Sequence, residues 1–275
     1  MPQTHHQLRL DLAAALSQFL DPREANAEAI RWFEEGFGKS RSWMAAHGDE
    51  AVPGGVRAQV STWLRRRKKG EPWVYILGWT EWRARRFEVT AETLIPRPET
   101  ELVLEAALDL GHRLKVDRAV DIGTGTGILG ITMALETDWH VSATDLSPDA
   151  LVVAKRNAEA LGAALEFYSG HLLDPIQSPL GLVVSNPPYV DPADRPSLQP
   201  ELAWEPASAL FAKQQGLALN LELLQEAKRR GAKGCVLEIG AGQGEVLKAK
   251  GLALGWKRIQ IHRDLAAHDR VLMAV

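Results

Sequence analysis

The sequence predicts an α/β protein: a doubly wound, mostly parallel sheet of seven strands, preceded by a small helical domain and a β-hairpin linker. Three observations carry that expectation. Beyond residue 96, short apolar runs alternate with helix-period segments, the pattern of parallel strands joined by crossover helices. A glycine loop, Gly123-Thr124-Gly125-Thr126-Gly127, follows the first such run and opens a helix. Ahead of this region Trp32, Trp43, Trp63 and Trp73 lie in stretches of helical period. The expected organisation is a helical domain over 1–77, a hairpin linker over 78–95, and an α/β domain over 96–275.

Each element has a local reason. Asp21-Pro22 supplies an N-cap and a proline at the first helical position, after which Ile30, Phe33 and Phe37 recur at helical spacing. Val56, Val60 and Trp63 mark another amphipathic stretch, closed by the basic run Arg65-Arg66-Arg67-Lys68-Lys69. Such a run reads as a solvated face, with docking of an acidic surface or RNA as the alternative. Arg86-Phe87-Glu88-Val89-Thr90 alternates in polarity, as one strand of a hairpin does. The proline-stiffened Leu94–Glu101 segment then leads into a helix carrying Val103, Ala106, Ala107 and Leu110. Strands are expected at Arg118–Ile122, His140–Thr144, Leu165–Tyr168, Leu182–Ser185, Val236–Glu238, Arg258–His262 and Arg270–Val275. Ser147-Pro148 caps a helix that Gly162 stops, and a further helix covers roughly Gly216–Arg230.

Composition narrows the function classes. Basic side chains number 32 against 35 acidic, so the net charge of -3 gives no general affinity for polyanions, and no nucleic-acid partner is expected. The lone cysteine, Cys235, excludes an internal disulfide and fits a reducing compartment. Arg9 and Asp11 interrupt the early apolar stretch, and no uncharged run is long enough to span a bilayer. A soluble, cytoplasmic protein without a membrane partner is expected. The scattered histidines show no metal-ligand spacing, and no metal is expected.

The most informative feature is Asn186-Pro187-Pro188-Tyr189, directly after the apolar Leu182–Ser185 run. Such a segment at a strand's carboxyl end forms a rigid polar slot for a planar NH2 group. The Asn186 amide oxygen can accept one N–H and the Pro187 carbonyl another. Each proline fixes its predecessor in extended geometry and brings no competing donor. Tyr189 offers a flat face for stacking.

The glycine loop, with Asp145 at the end of the next strand to accept ribose hydroxyls, describes a nucleotide site. Gly125-x-Gly127-x-x-Gly130 also fits the dinucleotide fingerprint, so a nicotinamide oxidoreductase has to be weighed. A second glycine loop, Gly240-Ala241-Gly242-Gln243-Gly244, has only 31 residues after it, too few for a ribose strand and a reaction site. It reads as a sharp strand-to-helix turn.

Glycine loop, ribose acid and Asn-Pro-Pro-Tyr together resemble the class I methyltransferases that use S-adenosylmethionine, including those acting on glutamine amides and on adenine N6. Leu94-Ile95-Pro96-Arg97-Pro98-Glu99-Thr100-Glu101, Tyr75-Ile76-Leu77-Gly78, Glu205-Pro206 and the Arg263–Val271 tail narrow the resemblance to the peptide chain release factor glutamine N5-methyltransferases, over nearly the whole chain. That resemblance implies a seven-stranded, Rossmann-like methyltransferase domain acting on the glutamine of the Gly-Gly-Gln motif in ribosomal release factors. It implies that Gly123, Thr124, Gly125, Thr126 and Gly127 hold the methionine part of S-adenosylmethionine and Asp145 its ribose. Asn186 would touch both cofactor and substrate, with Pro187, Pro188 and Tyr189 holding the glutamine. Near the adenine, where the family often has an acidic residue, this chain has Gly170-His171-Leu172, so His171 becomes the candidate contact. Two rivals of other kinds remain: an adenine-N6 DNA or RNA methyltransferase, and a non-catalytic cofactor-binding module of translation.

Overall fold

The structure, a computed structural model, describes residues 2–177 and 179–275. The chain divides into two compact units, one ending at Gly78 and the other running from Trp79 to Val275.

The first unit is helical: α1 (His5–Leu16), α2 (Pro22–Phe37), α3 (Arg41–His47), α4 (Gly54–Arg67) and α5 (Trp73–Leu77). The Asp21 side chain accepts from the Arg23 N–H at the head of α2, and Gly38 ends that helix in the left-handed conformation. Leu8, Leu12 and Leu16 of α1 meet Ala25, Ala29, Trp32 and Phe33 of α2 in the core. Trp32 and Trp73 stack at 4.6 Å, and Trp63 stands edge-on to both.

The basic run is not simply a solvated face. Arg67 is 3% exposed and holds Glu28 of α2 at 2.7 Å, while Arg66 forms a two-pronged pair with Glu71. A guanidinium at the end of α4 reaches inward to the carboxylates that need it, leaving Arg65, Lys68 and Lys69 as the exposed cations of the run.

The second unit opens with a hairpin, β1 (Trp79–Trp82) and β2 (Arg85–Glu88), turned at Arg83 and Ala84, both at positive φ. It continues through α6 (Thr100–Arg113), β3 (Arg118–Ile122), α7 (Ile128–Glu136), β4 (His140–Asp145), α8 (Pro148–Leu161), β5 (Glu166–Ser169) and β6 (Leu182–Ser185). Then come α9 (Ala207–Leu210), α10 (Ala218–Arg229), β7 (Gly234–Glu238), α11 (Gly244–Ala253), β8 (Ile259–Arg263) and β9 (Asp269–Ala274).

Among the described residues the last seven strands make one sheet in the order β5-β4-β3-β6-β7-β9-β8. All neighbours are parallel except β9, which runs against both β7 and β8. Apolar side chains cover both faces, one cluster built on α6, α7 and α8 and the other on α10 and α11. The chain reverses its winding between β3 and β6, where Ile122 pairs with Ser185. Diverging loops leave a crevice at such a switch point, and the predicted site residues sit there.

Candidate active site

Glycine geometry shapes the loop after β3. Gly123, Gly125 and Gly127 all take positive φ, at 67°, 54° and 87°. A side chain at Gly123 or Gly125 would meet nothing within 4 Å, so backbone conformation rather than space requires glycine there. Asp145, at the end of β4, accepts the Gly125 N–H at 2.9 Å on one oxygen and the Ser147 N–H at 2.9 Å on the other. Each oxygen keeps a lone pair for a ligand. Burial raises the Asp145 pKa, opposed by these backbone donors. Behind the loop the buried Asn157 accepts the Glu88 N–H and donates to the carbonyls of Glu88 and Thr126, fastening hairpin to loop.

A cavity of about 430 Å³ opens at this edge, within the ~300–1,000 Å³ of small-molecule sites. Gly123, Thr124, Gly125, Thr126, Asp145, His171, Asn186 and Pro188 line it, together with Asp121, Thr100 and Pro206. Pro187 is buried beneath the rim, Gly127 caps α7, and Tyr189 directs its hydroxyl to Glu238 at 3.1 Å; none of these three lines the cavity. The His171 Nε2 lies 2.8 Å from a Glu222 oxygen.

The charge of the lining is one-sided. Glu92, Asp121 and Asp145 contribute carboxylates, and no Lys or Arg lines the cavity among the described residues. Asp121 is buried at the end of β3; its Oδ2 accepts from the Thr124 hydroxyl at 2.6 Å and the Gly130 N–H at 2.9 Å. Its Oδ1 is buried without a hydrogen-bond partner among the described residues. Desolvation lifts the Asp121 pKa to about 6, against the pull of Thr124 and Gly130. A buried acceptor without a donor beside a ligand cavity suits a cation. S-adenosylmethionine, with its sulfonium and ammonium groups, fits this lining; a pyrophosphate does not meet a basic side chain there. Asp121 is not among the site residues expected from the sequence, although an acid near the end of the strand Arg118–Ile122 was the available signal.

Above the cavity the Asn186 amide is fixed rather than free. Its Nδ2 donates to the Thr100 hydroxyl at 3.0 Å, and Thr100 donates to the Glu238 carboxylate at 2.7 Å. The Ser185 hydroxyl ties the end of β6 to the Ile122 carbonyl at 2.6 Å. Glu205, 6% exposed, accepts from the Ile95 N–H at 2.9 Å and from Arg97, joining the proline-rich segment before α6 to the segment before α9. Pairing of Val190 with Phe211 brings Pro206, Ser208 and Ala209 to the cavity wall. The second glycine loop lies outside the lining. Its Gln243 donates to the Tyr189 carbonyl at 3.0 Å and so braces the Asn-Pro-Pro-Tyr segment from behind.

Strand order, glycine loop and acid-lined cavity define a methyltransferase of the Rossmann-like type that uses S-adenosylmethionine. Residues 100–214 match the methyltransferase small domain and residues 11–78 the PrmC N-terminal domain. Solved structures share the fold. The N-terminal domain of human METTL16 superposes with a TM-score of 0.53 at 16% identity, covering 82% of this chain and 84% of that one. A methyltransferase from Pyrococcus furiosus gives 0.52 at 16%, covering 80% and 97%.

Relatives in sequence are nearer. The release factor glutamine methyltransferase of Enterococcus faecalis is 37% identical over 265 residues, 94% of this chain and 95% of that one. Those of Neisseria gonorrhoeae and Staphylococcus aureus are 39% and 35% identical, covering 85% and 98% of this chain and 87% and 98% of theirs. The chain belongs to the release factor glutamine methyltransferase family.

Proposed function

We propose that this protein methylates the side-chain amide nitrogen, N5, of the glutamine in the Gly-Gly-Gln motif of ribosomal peptide chain release factors. The observation that carries this reading is the Asn186 amide, held by Thr100 at the rim of an acid-lined cavity. Bound S-adenosylmethionine supplies an activated methyl group. Asp121 and the lining residues Gly123 to Thr126 would hold its amino-acid part, Asp145 would accept its ribose hydroxyls, and His171 would be the contact for its adenine.

A carboxamide nitrogen is a poor nucleophile because its lone pair is shared with the carbonyl. With Nδ2 engaged by Thr100, the Asn186 Oδ1 is left to accept one substrate N–H, while the Pro187 carbonyl accepts the other. Two acceptors in fixed positions orient the nitrogen and favour its pyramidalisation as the N–C bond forms. Pro188 walls the slot and Tyr189 supports it through Glu238. Rate enhancement then comes from positioning and electrostatics, with the proton lost to water. The helical unit supplies the remote contacts that distinguish a release factor from any other glutamine-bearing protein. The net charge of -3 favours action on protein rather than nucleic acid, and a release factor substrate supports a cytoplasmic site of action.

Tritiated-methyl transfer to a purified release factor tests the reading. The factor should be labelled and its Gln→Ala variant should not. Asn186→Ala should lower turnover ~100-fold or more, as loss of one transition-state hydrogen bond does, with cofactor affinity less affected. Labelling of the Gln→Ala factor, or normal turnover by Asn186→Ala, would contradict it.

A further inference from the structure

A hydrogen-bond chain runs away from the cavity behind Asn186: Asn186 Nδ2 to Thr100 Oγ1 at 3.0 Å, then Thr100 Oγ1 to Glu238 Oε2 at 2.7 Å. Tyr189 donates to the other Glu238 oxygen at 3.1 Å. Thr100 and Glu238 are each 1% exposed. The chain has a direction, and one group sets it. An ionised carboxylate can only accept. The single hydroxyl proton of Thr100 therefore goes to Glu238, and Thr100 can offer Asn186 only a lone pair. The amide must turn its NH2 to Thr100 and its oxygen away.

We propose that Thr100 and Glu238 are positioning residues that fix which way the Asn186 amide faces, so that its oxygen is presented to the substrate NH2. The inference rests on the proposed glutamine methylation for its consequence, though not for its geometry. A protonated Glu238 would donate to Thr100, freeing the Thr100 proton for Asn186 Oδ1. The amide would then reverse and present a donor where the reaction needs an acceptor. Near Glu238 lie Glu99 and Thr100 at the head of α6, Tyr189 after β6 and Arg270 on β9, with Arg97 beyond Tyr189. Desolvation lifts the Glu238 pKa to about 7, opposed by Thr100, Tyr189 and Arg270 and assisted by Glu99. The carboxylate form is thus lost as pH falls through about 7, and the orienting effect goes with it.

Two measurements on the full-length protein decide the point. In 15N-labelled protein the Asn186 side-chain NH2 resonance, assigned by its loss in Asn186→Asp, should shift with a midpoint near pH 7; Glu238→Gln should abolish that shift. This readout needs no substrate, so it stands even if the release factor reading fails. In methyl transfer, Glu238→Gln and Thr100→Val should each lower kcat about 10- to 100-fold, with cofactor affinity nearly unchanged. Thr100→Ser, which keeps the hydroxyl, should recover most of the loss. The acid limb of the wild-type kcat profile should vanish in Glu238→Gln. An Asn186 resonance indifferent to pH, or one titrating identically in Glu238→Gln, would overturn the inference. So would wild-type kcat in Thr100→Val. A wild type that leaves release factor unmethylated would instead count against the proposed function alone.

Discussion

Asp121→Asn should make the ligand-free protein more stable at alkaline pH while weakening its hold on S-adenosylmethionine. Burial that lifts this carboxyl from 3.8 to about 6 costs its ionised form ~3 kcal/mol. Because the folded-state pKa lies above the unfolded value, the folded protein holds an extra proton between those two pH values. Stability therefore falls as pH rises through that window, and the full deficit is present above about pH 6. Asparagine removes the charge, and its oxygen can still accept from Thr124 and Gly130. Its NH2 would replace the unpartnered Oδ1 as a buried group without a partner, costing about 1–3 kcal/mol. The net gain at pH 8 is up to ~2 kcal/mol, a Tm increase of a few degrees. At about pH 4 the wild-type deficit is gone and the variant should be no more stable than wild type. Calorimetric titration at pH 8 should show cofactor affinity reduced about 10- to 100-fold, as for loss of a charge-assisted contact. Unchanged affinity would refute the assignment of Asp121 to the cofactor's ammonium group. A Tm advantage equal at both pH values would refute the burial argument.

Asp145→Ala should weaken S-adenosylmethionine by ~1–3 kcal/mol, whereas Gly242→Ala should leave its affinity unchanged in calorimetry, because the second glycine loop is outside the cavity lining. That glycine has φ of 79°, so its replacement should lower Tm instead. Arg67→Ala should destabilise the helical unit by ~3–5 kcal/mol in urea melts by leaving the buried Glu28 unpaired, while Arg65→Ala should change stability by no more than ~0.5 kcal/mol. Deleting residues 1–77 should preserve cofactor binding and raise KM for whole release factor; a Gly-Gly-Gln peptide, lacking remote contacts, should be a poor substrate with or without those residues.

Local chemistry was legible in the sequence where it decides local structure. Arg118–Ile122 and Leu182–Ser185 coincide with the observed strands, since a buried parallel strand is a short apolar run bounded by turn residues. The Leu165–Tyr168 expectation shifts by one residue to Glu166–Ser169, as the end of an edge strand depends on its partner. Asn186 and Asp145 were found because their residue type and their place at a strand end carry the chemistry. Their supports were not legible, because partners distant in sequence leave no periodic trace. Thr100 and Glu238 are 138 positions apart, and Arg97 and Glu205 are 108 apart. The same blindness made Arg66 and Arg67 read as part of a surface run when their partners lie inside the helical unit. Glu238 illustrates the limit well: it ends the strand ahead of a second glycine loop read only as a turn, and its role appears only when β7 is laid beside β6.

The span of the Asn186 support has a bearing on how the enzyme comes to life. Thr100 begins the first helix of the sheet domain, Asn186 follows the fourth sheet strand in sequence, and Glu238 ends the fifth. A growing chain that has completed β3 to β6 already holds the glycine loop and Asp145, and so can form a nucleotide crevice. Its Asn186 amide has no fixed direction until β7 docks beside β6 and delivers the carboxylate that Thr100 faces. Contacts of such long sequence separation form late, because the intervening chain must be closed first. Orientation of the acceptor therefore depends on β7 being in place, whereas the glycine loop and Asp145 are carried by β3 and β4 alone.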